Sequence, residues 1–303
     1  MQRLLLIAAV GAVSQFVDGS LGMGYGTVAA STLIAVGLLP ALVSASIHTA
    51  EVFTTVVSGA SHIRLGNVDK GITLPLAISG TVGGVLGALT LASLVSVPQM
   101  RPFVGAILLL LGVVILLRSL KIKTAIPKSG KYSKKWLLPL GFVAGAVDAI
   151  GGGGWGPIST STLIARNQST PRYVIGSVNV AEFFVTVAIT LTFGLVLGFQ
   201  NFLWHITLPL IIGGVLIAPV AAYAARWVSP VLLSVSVGLL LIGLNSKTVF
   251  QPLLSALGIA LPPERLNILF LTFVGVAALL AVIGLMSRSK RVLPDELGAA
   301  SDD

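Results

Sequence analysis

Apolar positions dominate long uninterrupted runs, at about 40–61, 71–93, 101–118, 173–197, 202–225, 229–245 and 266–286. Most of these match the roughly 20 apolar residues that a helix needs to cross a bilayer. Two further runs, 4–37 and 136–166, are broken in the middle by glycine clusters. Each broken run is followed by three unbroken ones, and the run at 266–286 has no counterpart. Short alternating segments of the kind that build an outer-membrane barrel do not occur in this pattern. The pattern predicts an all-α polytopic membrane protein.

The broken runs are copies of one another. Val17-Asp18-Gly19-Ser20-Leu21-Gly22-Met23-Gly24-Tyr25-Gly26 is answered by Val147-Asp148-Ala149-Ile150-Gly151-Gly152-Gly153-Gly154-Trp155-Gly156, and both continue into Ser-Thr-Leu-Ile-Ala. Further on, Pro40 answers Pro171, and Ser46-Ile47-His48-Thr49-Ala50-Glu51 answers Ser177-Val178-Asn179-Val180-Ala181-Glu182. Ile72-Thr73-Leu74-Pro75-Leu76 returns unchanged at 206–210. The offset grows from 130 at Asp18 to 131 at Ser46 and 134 at Ile72, so the insertions fall in loops. Internal repeats of this kind recur in secondary transporters. The expected divisions are a first transmembrane repeat over 1–118, a basic linker over 119–135 and a second repeat over 136–245. An extra segment with a C-terminal transmembrane helix follows over 246–287, and a polar tail over 288–303.

Charge sets the topology. Lys121, Lys123, Lys128, Lys131, Lys134 and Lys135 place the linker in the cytoplasm by the positive-inside rule. If 136–166 is a hairpin that returns to the cytoplasm, Arg166, Arg172, Arg226, Arg288, Lys290 and Arg291 lie inside, with His62, Arg64 and Lys70. The uncharged loops near 37–40, 94–100 and 196–201 then face out. A hairpin plus three crossings is odd, so the two repeats are expected to have inverted topology. Arms of about 14 residues, roughly 20 Å at helical rise, would put the glycine turns near mid-membrane.

Composition narrows the picture. Hydrophobic residues make up 55% and charged residues 10%, with a mean hydropathy of +1.00. There is no cysteine, which excludes disulfides and thiolate metal sites. The net charge of +9 gathers in loops beside the apolar runs and is no nucleic-acid signal. Leu4–Val13 resembles a signal-peptide core, but its counterpart near Leu137–Val147 makes it part of the mature fold. The expected location is the bacterial inner membrane, as a multi-pass protein in contact with the lipid bilayer.

The candidate chemistry sits at the breaks. Helices starting near Gly24 and Gly154 would direct unpaired N–H groups and partial positive charge to the membrane centre. Gly22, Gly24, Gly152 and Gly154 would let an anion approach that backbone; tight helix packing is the other reading of the same glycines. Asp18, Asp148, Glu51 and Glu182 lie in apolar sequence, where a charge costs at least about 2.5 kcal/mol. They either bind protons or a coupling cation, or accept hydrogen bonds from the turns. A carboxyl that takes up a proton during the cycle would satisfy both. Ser46 with His48, and Ser177 with Asn179, occupy matching places and can donate to an oxyanion; interhelical hydrogen bonding is their alternative role. His62 and His205 fall near membrane edges and read as solvated or interfacial. Tyr25 and Trp155 either gate the cavity or pack in the core. Trp136, Trp204 and Trp227 read as interfacial anchors. The spacings Gly80/Gly84 and Gly83/Gly87 mark close helix packing within a protomer or between two, as in a homodimer.

At the Asp plus glycine-rich turns and the Ser-x-His/Asn…Ala-Glu segments, the sequence resembles the TauE/SafE sulfite exporter family over about residues 4–245. The resemblance implies export of anionic sulfur compounds such as sulfite, sulfonates or sulfoacetate, by a secondary route. The implied substrate site is Ser46, His48, Ser177 and Asn179, flanked by the glycine turns; His48 departs from a symmetric Ser-x-Asn pair. Proton coupling through His48 or a buried acid is a further expectation.

Other classes remain open. An intramembrane aspartyl protease would want G-x-G-D, whereas Asp18 and Asp148 precede their glycines, so no catalytic residue is assigned. No Walker A motif is present. No cofactor or resident metal is expected. A cation or metal permease using the four carboxylates, and an anion channel, are the alternatives to a transporter that alternates access.

Overall fold

The computed structural model describes residues 2–97, 99–119, 131–224 and 230–259, with Arg265 and Gly275. The expected C-terminal helix at 266–286, the polar tail, Trp227 and most of the linker lie outside the described residues.

Ten α-helices make up the described fold, and no strand occurs among those residues: α1 (Gln2–Leu21), α2 (Tyr25–Ala35), α3 (Pro40–Arg64), α4 (Lys70–Ser93), α5 (Met100–Ser119), α6 (Lys134–Gly151), α7 (Trp155–Arg166), α8 (Pro171–Phe193), α9 (Trp204–Ala224) and α10 (Pro230–Ala256). Proline opens α3 and α8, where its missing N–H would be unpaired in any case. Asp69 caps α4 by accepting from the Gly71 N–H at 2.7 Å. Among the described residues seven helices are long and apolar enough to cross a membrane.

Two elements depart from the expected lengths. The hairpin arms are unequal: α1 has 20 residues and α6 has 18, whereas α2 has 11 and α7 has 12. At 1.5 Å per residue the first arms run about 27–30 Å and the second about 16–18 Å. The first arms gain length at both ends: Gln2-Arg3 and Lys134-Lys135, polar residues outside the apolar run, already belong to the helix, and α1 and α6 run on past Asp18 and Asp148 to Leu21 and Gly151. Helix α10 also continues to Ala256, eleven residues beyond Asn245. A lone Lys247 does not stop it, and Pro252 lies inside it.

Small residues decide which helices touch. Gly80, Gly83 and Gly87 of α4 meet α6 in the same chain direction: Gly141 lies on Leu76, Gly83 on the Phe142 carbonyl, and Gly87 on Ala146 and Ala149. Helices α1 and α9 pair in the same parallel sense, with Gly11 on Leu210, Gly213 on Ala8 and Ser20 donating to the Ala221 carbonyl. By contrast α3 and α8 run antiparallel, with Ser58 on Asn179 and Asn67 on Gly176. Helices α5 and α10 are antiparallel as well, through Gly105 on Thr248 and Gly112 on Leu241. Each broken run therefore docks on a helix from the other half of the chain. Gly80, Gly83, Gly84 and Gly87 all pack inside the protomer, Gly84 against Ile189 of α8.

Because the Phe142 carbonyl is backbone and cannot turn aside, Gly83→Ala is expected to destabilise the protein by about 1–3 kcal/mol. Thermal unfolding in detergent checks this, with Gly59→Ala as the comparison, since a Cβ there would meet only ordinary contacts, the nearest being Val180 Cγ2 at 3.5 Å.

Candidate functional site

The two glycine turns meet. Chain reversal in each begins at an equivalent glycine, Gly22 and Gly152, both at φ 67°, a left-handed conformation that glycine adopts without cost. Past the turns the backbones touch: a Cβ on Gly26 would strike the Gly152 carbonyl and lie 2.7 Å from the Gly153 Cα. One on Gly156 would lie 2.5 Å from the Met23 Cβ and 2.7 Å from the Gly22 carbonyl oxygen. Thr160 Oγ1 donates to the Gly22 carbonyl at 2.6 Å, tying α7 to the opposite turn. The short helices α2 and α7 thus begin at one buried place.

The carboxylate of Asp148, a residue of α6, sits at the start of α7. Its Oδ1 accepts from the backbone N–H of Gly154 at 2.7 Å and of Trp155 at 3.0 Å. Its Oδ2 lies 3.1 Å from His48 Nε2. The His48 ring is held from its other side, with Nδ1 2.8 Å from the Ser44 carbonyl and 3.2 Å from Ser44 Oγ. A carbonyl can only accept, so Nδ1 carries a proton; Nε2 and Oδ2 then need a further cation, a proton or a metal, between them. Ser44 Oγ donates to the Ala149 carbonyl at 2.6 Å, fastening α3 to the end of α6. In the other turn the Tyr25 N–H faces the Asp18 carboxylate, and the Gly26 N–H faces Glu51.

The matching residues of α8 do something different. Asn179 Nδ2 donates to the Ile175 carbonyl at 3.2 Å, as His48 Nδ1 does one turn back, but its Oδ1 accepts from Ser58 at 2.9 Å. Ser177 Oγ accepts from the Asp69 N–H at 2.8 Å. Ser46 Oγ is buried and has no hydrogen-bond partner among the described residues. Of the four polar residues singled out by the repeat, only His48 reaches the opposite turn through a hydrogen bond.

The site is acidic. Glu51 and Glu182 are fully buried with Asp18 and Asp148, and each of the two glutamates feels the charge of both aspartates. No Lys or Arg pairs with them among the described residues. His48, Glu51 and Asp148 present ligand atoms within 4.8 Å of one another, a grouping able to hold a metal ion. Glu51 Oε2 lies 3.9 Å from His48 Nε2 and is otherwise unpartnered among the described residues.

Tyr25 and Trp155 wall the turns. Tyr25 Oη donates to the Leu210 carbonyl at 3.2 Å, and its ring lies beside Gly214 of α9. Trp155 Nε1 donates to the Val178 carbonyl at 3.1 Å, and its ring lies over Gly80 of α4. Gly80 and Gly214 stand at matching places in the two halves, so each aromatic fills a notch made by the opposite half. His62 differs from its expected place at a wet edge: it is 5% exposed, and neither ring nitrogen has a partner among the described residues. The turn after α3 folds back, with the Asn67 N–H donating to the His62 carbonyl at 2.9 Å. His205 is exposed, and Trp204 is 39% exposed. Ser44 and Thr160 were not marked by the repeat. Ser44 precedes His48 by one helical turn, and that spacing is the signal that identifies it.

A bundle of helices long enough to span a bilayer, closing around buried polar side chains and two broken helices, defines a multi-pass membrane transporter. The chain belongs to the sulfite exporter TauE/SafE family, whose model matches residues 7–248. It is similar to the probable membrane transporter protein YtnM of Bacillus subtilis (strain 168), at 42% identity over 253 residues, covering 83% of this chain and 84% of that one. No solved structure matches it. The family is one of transporters and not of enzymes.

Proposed function

We propose that the protein exports small sulfur-containing anions, such as sulfite, a sulfonate or sulfoacetate, across the cytoplasmic membrane by alternating access. In this reading residues 1–118 and 136–245 are inverted repeats, and the anion binds near mid-membrane between them. The observation that carries it is the convergence of the two turns: the starts of α2 and α7 meet at bare glycine backbone in a buried place. The antiparallel pairing of α3 with α8 and of α5 with α10 supports the inversion.

The N–H groups of α7 already hold an anion, the Asp148 carboxylate. A substrate oxyanion can take that place only if the carboxylates are neutralised, so anion binding requires proton uptake by the cluster. Ser46 Oγ is buried and has no hydrogen-bond partner among the described residues, so its proton is free to be given to substrate. Asn179 and Ser177, engaged with Ser58 and Asp69, would join only when α3 and α8 shift.

Radiolabelled sulfite efflux from proteoliposomes tests the reading. Ser46→Ala is expected to cut flux about tenfold, the loss of one hydrogen bond to a charged group at about 1.5 kcal/mol or more, while the protein still inserts and elutes as folded. Absence of flux for every sulfur oxyanion tried sinks the exporter reading. A cation permease is the second reading, favoured by the grouping of His48, Glu51 and Asp148; binding of cations but of no anion would select it.

A further inference from the structure

Helix α3 carries a polar face that anion binding alone does not use. His48, Glu51, Thr55, Ser58 and His62 follow one another at alternating steps of three and four, which aligns them on one side of the helix. All five are buried. From His48 to His62 the face runs about 21 Å along the axis, from the central cluster to the end that carries Arg64 and, across the turn, Lys70. Positive charge marks that end as cytoplasmic.

The matching face of α8 reads Asn179, Glu182, Thr186, Ile189 and Phe193, all buried as well. It starts polar and closes with two apolar side chains. Since α3 and α8 are antiparallel, the apolar end faces the opposite side, where residues 194–203 carry no charge. At these matching positions the file stays polar from the centre to its end on α3, but not on α8.

The groups on α3 also lack partners in the way that water would supply. Both nitrogens of His62 and Oε2 of Glu51 are unpaired among the described residues. An imidazole keeps at least one N–H, and buried unpaired donors are where ordered water is found. Ser58 Oγ gives its proton to Asn179, and Thr55 Oγ1 gives its own to the Glu51 carbonyl. The lone pairs of both hydroxyls are left to accept from water. Successive members of the face stand about 5–6 Å apart, a gap that one water bridges.

We propose that this face of α3 is a proton path from the cytoplasmic side to the central cluster. His62 takes a proton at one ring nitrogen and releases the proton on the other. Water held by Ser58 and Thr55 passes it on, and the Glu51 carboxylate accepts it at Oε2 to become a carboxyl. The titratable groups facing Glu51 are Asp18 on α1, Tyr25 on α2, Asp148 on α6, Glu182 on α8 and His48 on α3 itself. The path deepens the transport reading above, and rests on it only for the use made of the proton.

The test follows hydrogen–deuterium exchange of the Glu51 carboxyl by infrared spectroscopy. The full chain is reconstituted in phosphatidylethanolamine–phosphatidylglycerol bilayers and moved from H2O to D2O. The Glu51 band is the one missing in Glu51→Gln. In His62→Phe, which installs the residue α8 carries at that place, the downshift is expected to be about tenfold slower, a barrier about 1.4 kcal/mol higher. Ser58→Ala is expected to slow it in the same direction and serves if His62→Phe does not fold. Equal rates in the folded variants and the unsubstituted protein, or no Glu51-dependent band between about pH 5 and 8, overturn the path. Sulfite flux measured alongside separates the two ideas: slowed exchange without any anion flux sinks the exporter reading and leaves the path standing.

Discussion

Gly153→Ala is expected to abolish the folded protein, whereas Gly151→Ala two residues earlier is expected to be tolerated. A methyl on Gly153 would be driven into the Thr27 nitrogen and the Gly26 carbonyl carbon, and would lie 2.7 Å from the Thr27 Cα. Every obstacle is main chain of the opposite turn, which is itself pinned by Thr160 and by packing on both sides. Overpacking typically costs about 1–3 kcal/mol where side chains can shift; here none can, so the cost should reach or exceed the top of that range. At Gly151 the nearest atoms to a new Cβ are side-chain carbons at 3.6 and 3.9 Å, ordinary contact distances. Gel-filtration profile and thermal unfolding of the two variants in detergent decide it. A well-folded Gly153→Ala would mean that the turns do not touch.

Asp148→Ala is expected to lose about 3–5 kcal/mol of stability, the cost of stripping one partner from a buried charged contact. The carboxylate is shared: two N–H groups at the start of α7 and the His48 ring all depend on it. Asp148→Asn keeps an oxygen for the two N–H groups and offers His48 Nε2 a donor, so it should cost much less. A double-mutant cycle with His48→Asn should show the two substitutions to be non-additive, since they remove ends of one contact. Additive losses in unfolding measurements would mean that the His48–Asp148 contact contributes nothing of its own.

Much of the fold is written in the hydropathy pattern, because the bilayer imposes helix length and apolar composition on each span. The broken helices were equally legible, since an Asp followed by spaced glycines recurs in both halves. Neighbours were not. Repetition makes His48 and Asn179 look equivalent, and both do bond the carbonyl one turn back. The imidazole then reaches Asp148, while the shorter amide meets Ser58 from another helix. Ser177 is taken by the Asp69 N–H, 108 positions away in the chain, a contact that no local pattern encodes. His62 was placed at a wet edge because it stands beside Arg64; its burial comes from tertiary packing that no local pattern encodes. The arm lengths were missed because the first helices run through interfacial polar residues at one end and on past the buried Asp18 and Asp148 at the other.

The exchange of partners between halves has a consequence for biogenesis. Helix α4 is seated on α6, and α1 on α9, so the first half leaves the ribosome without the surfaces that fill its glycine notches. Gly80 waits for Trp155, and Tyr25 waits for Leu210 and Gly214. During synthesis the long helices α1, α3, α4 and α5 must therefore lodge in the lipid before their partners exist, with the polar break open. Only when the second hairpin and α9 arrive can the two halves clasp. Final assembly is thus a late, post-insertion event, and a chain stopped between the halves is an orphan that the cell's membrane quality control would be able to recognise.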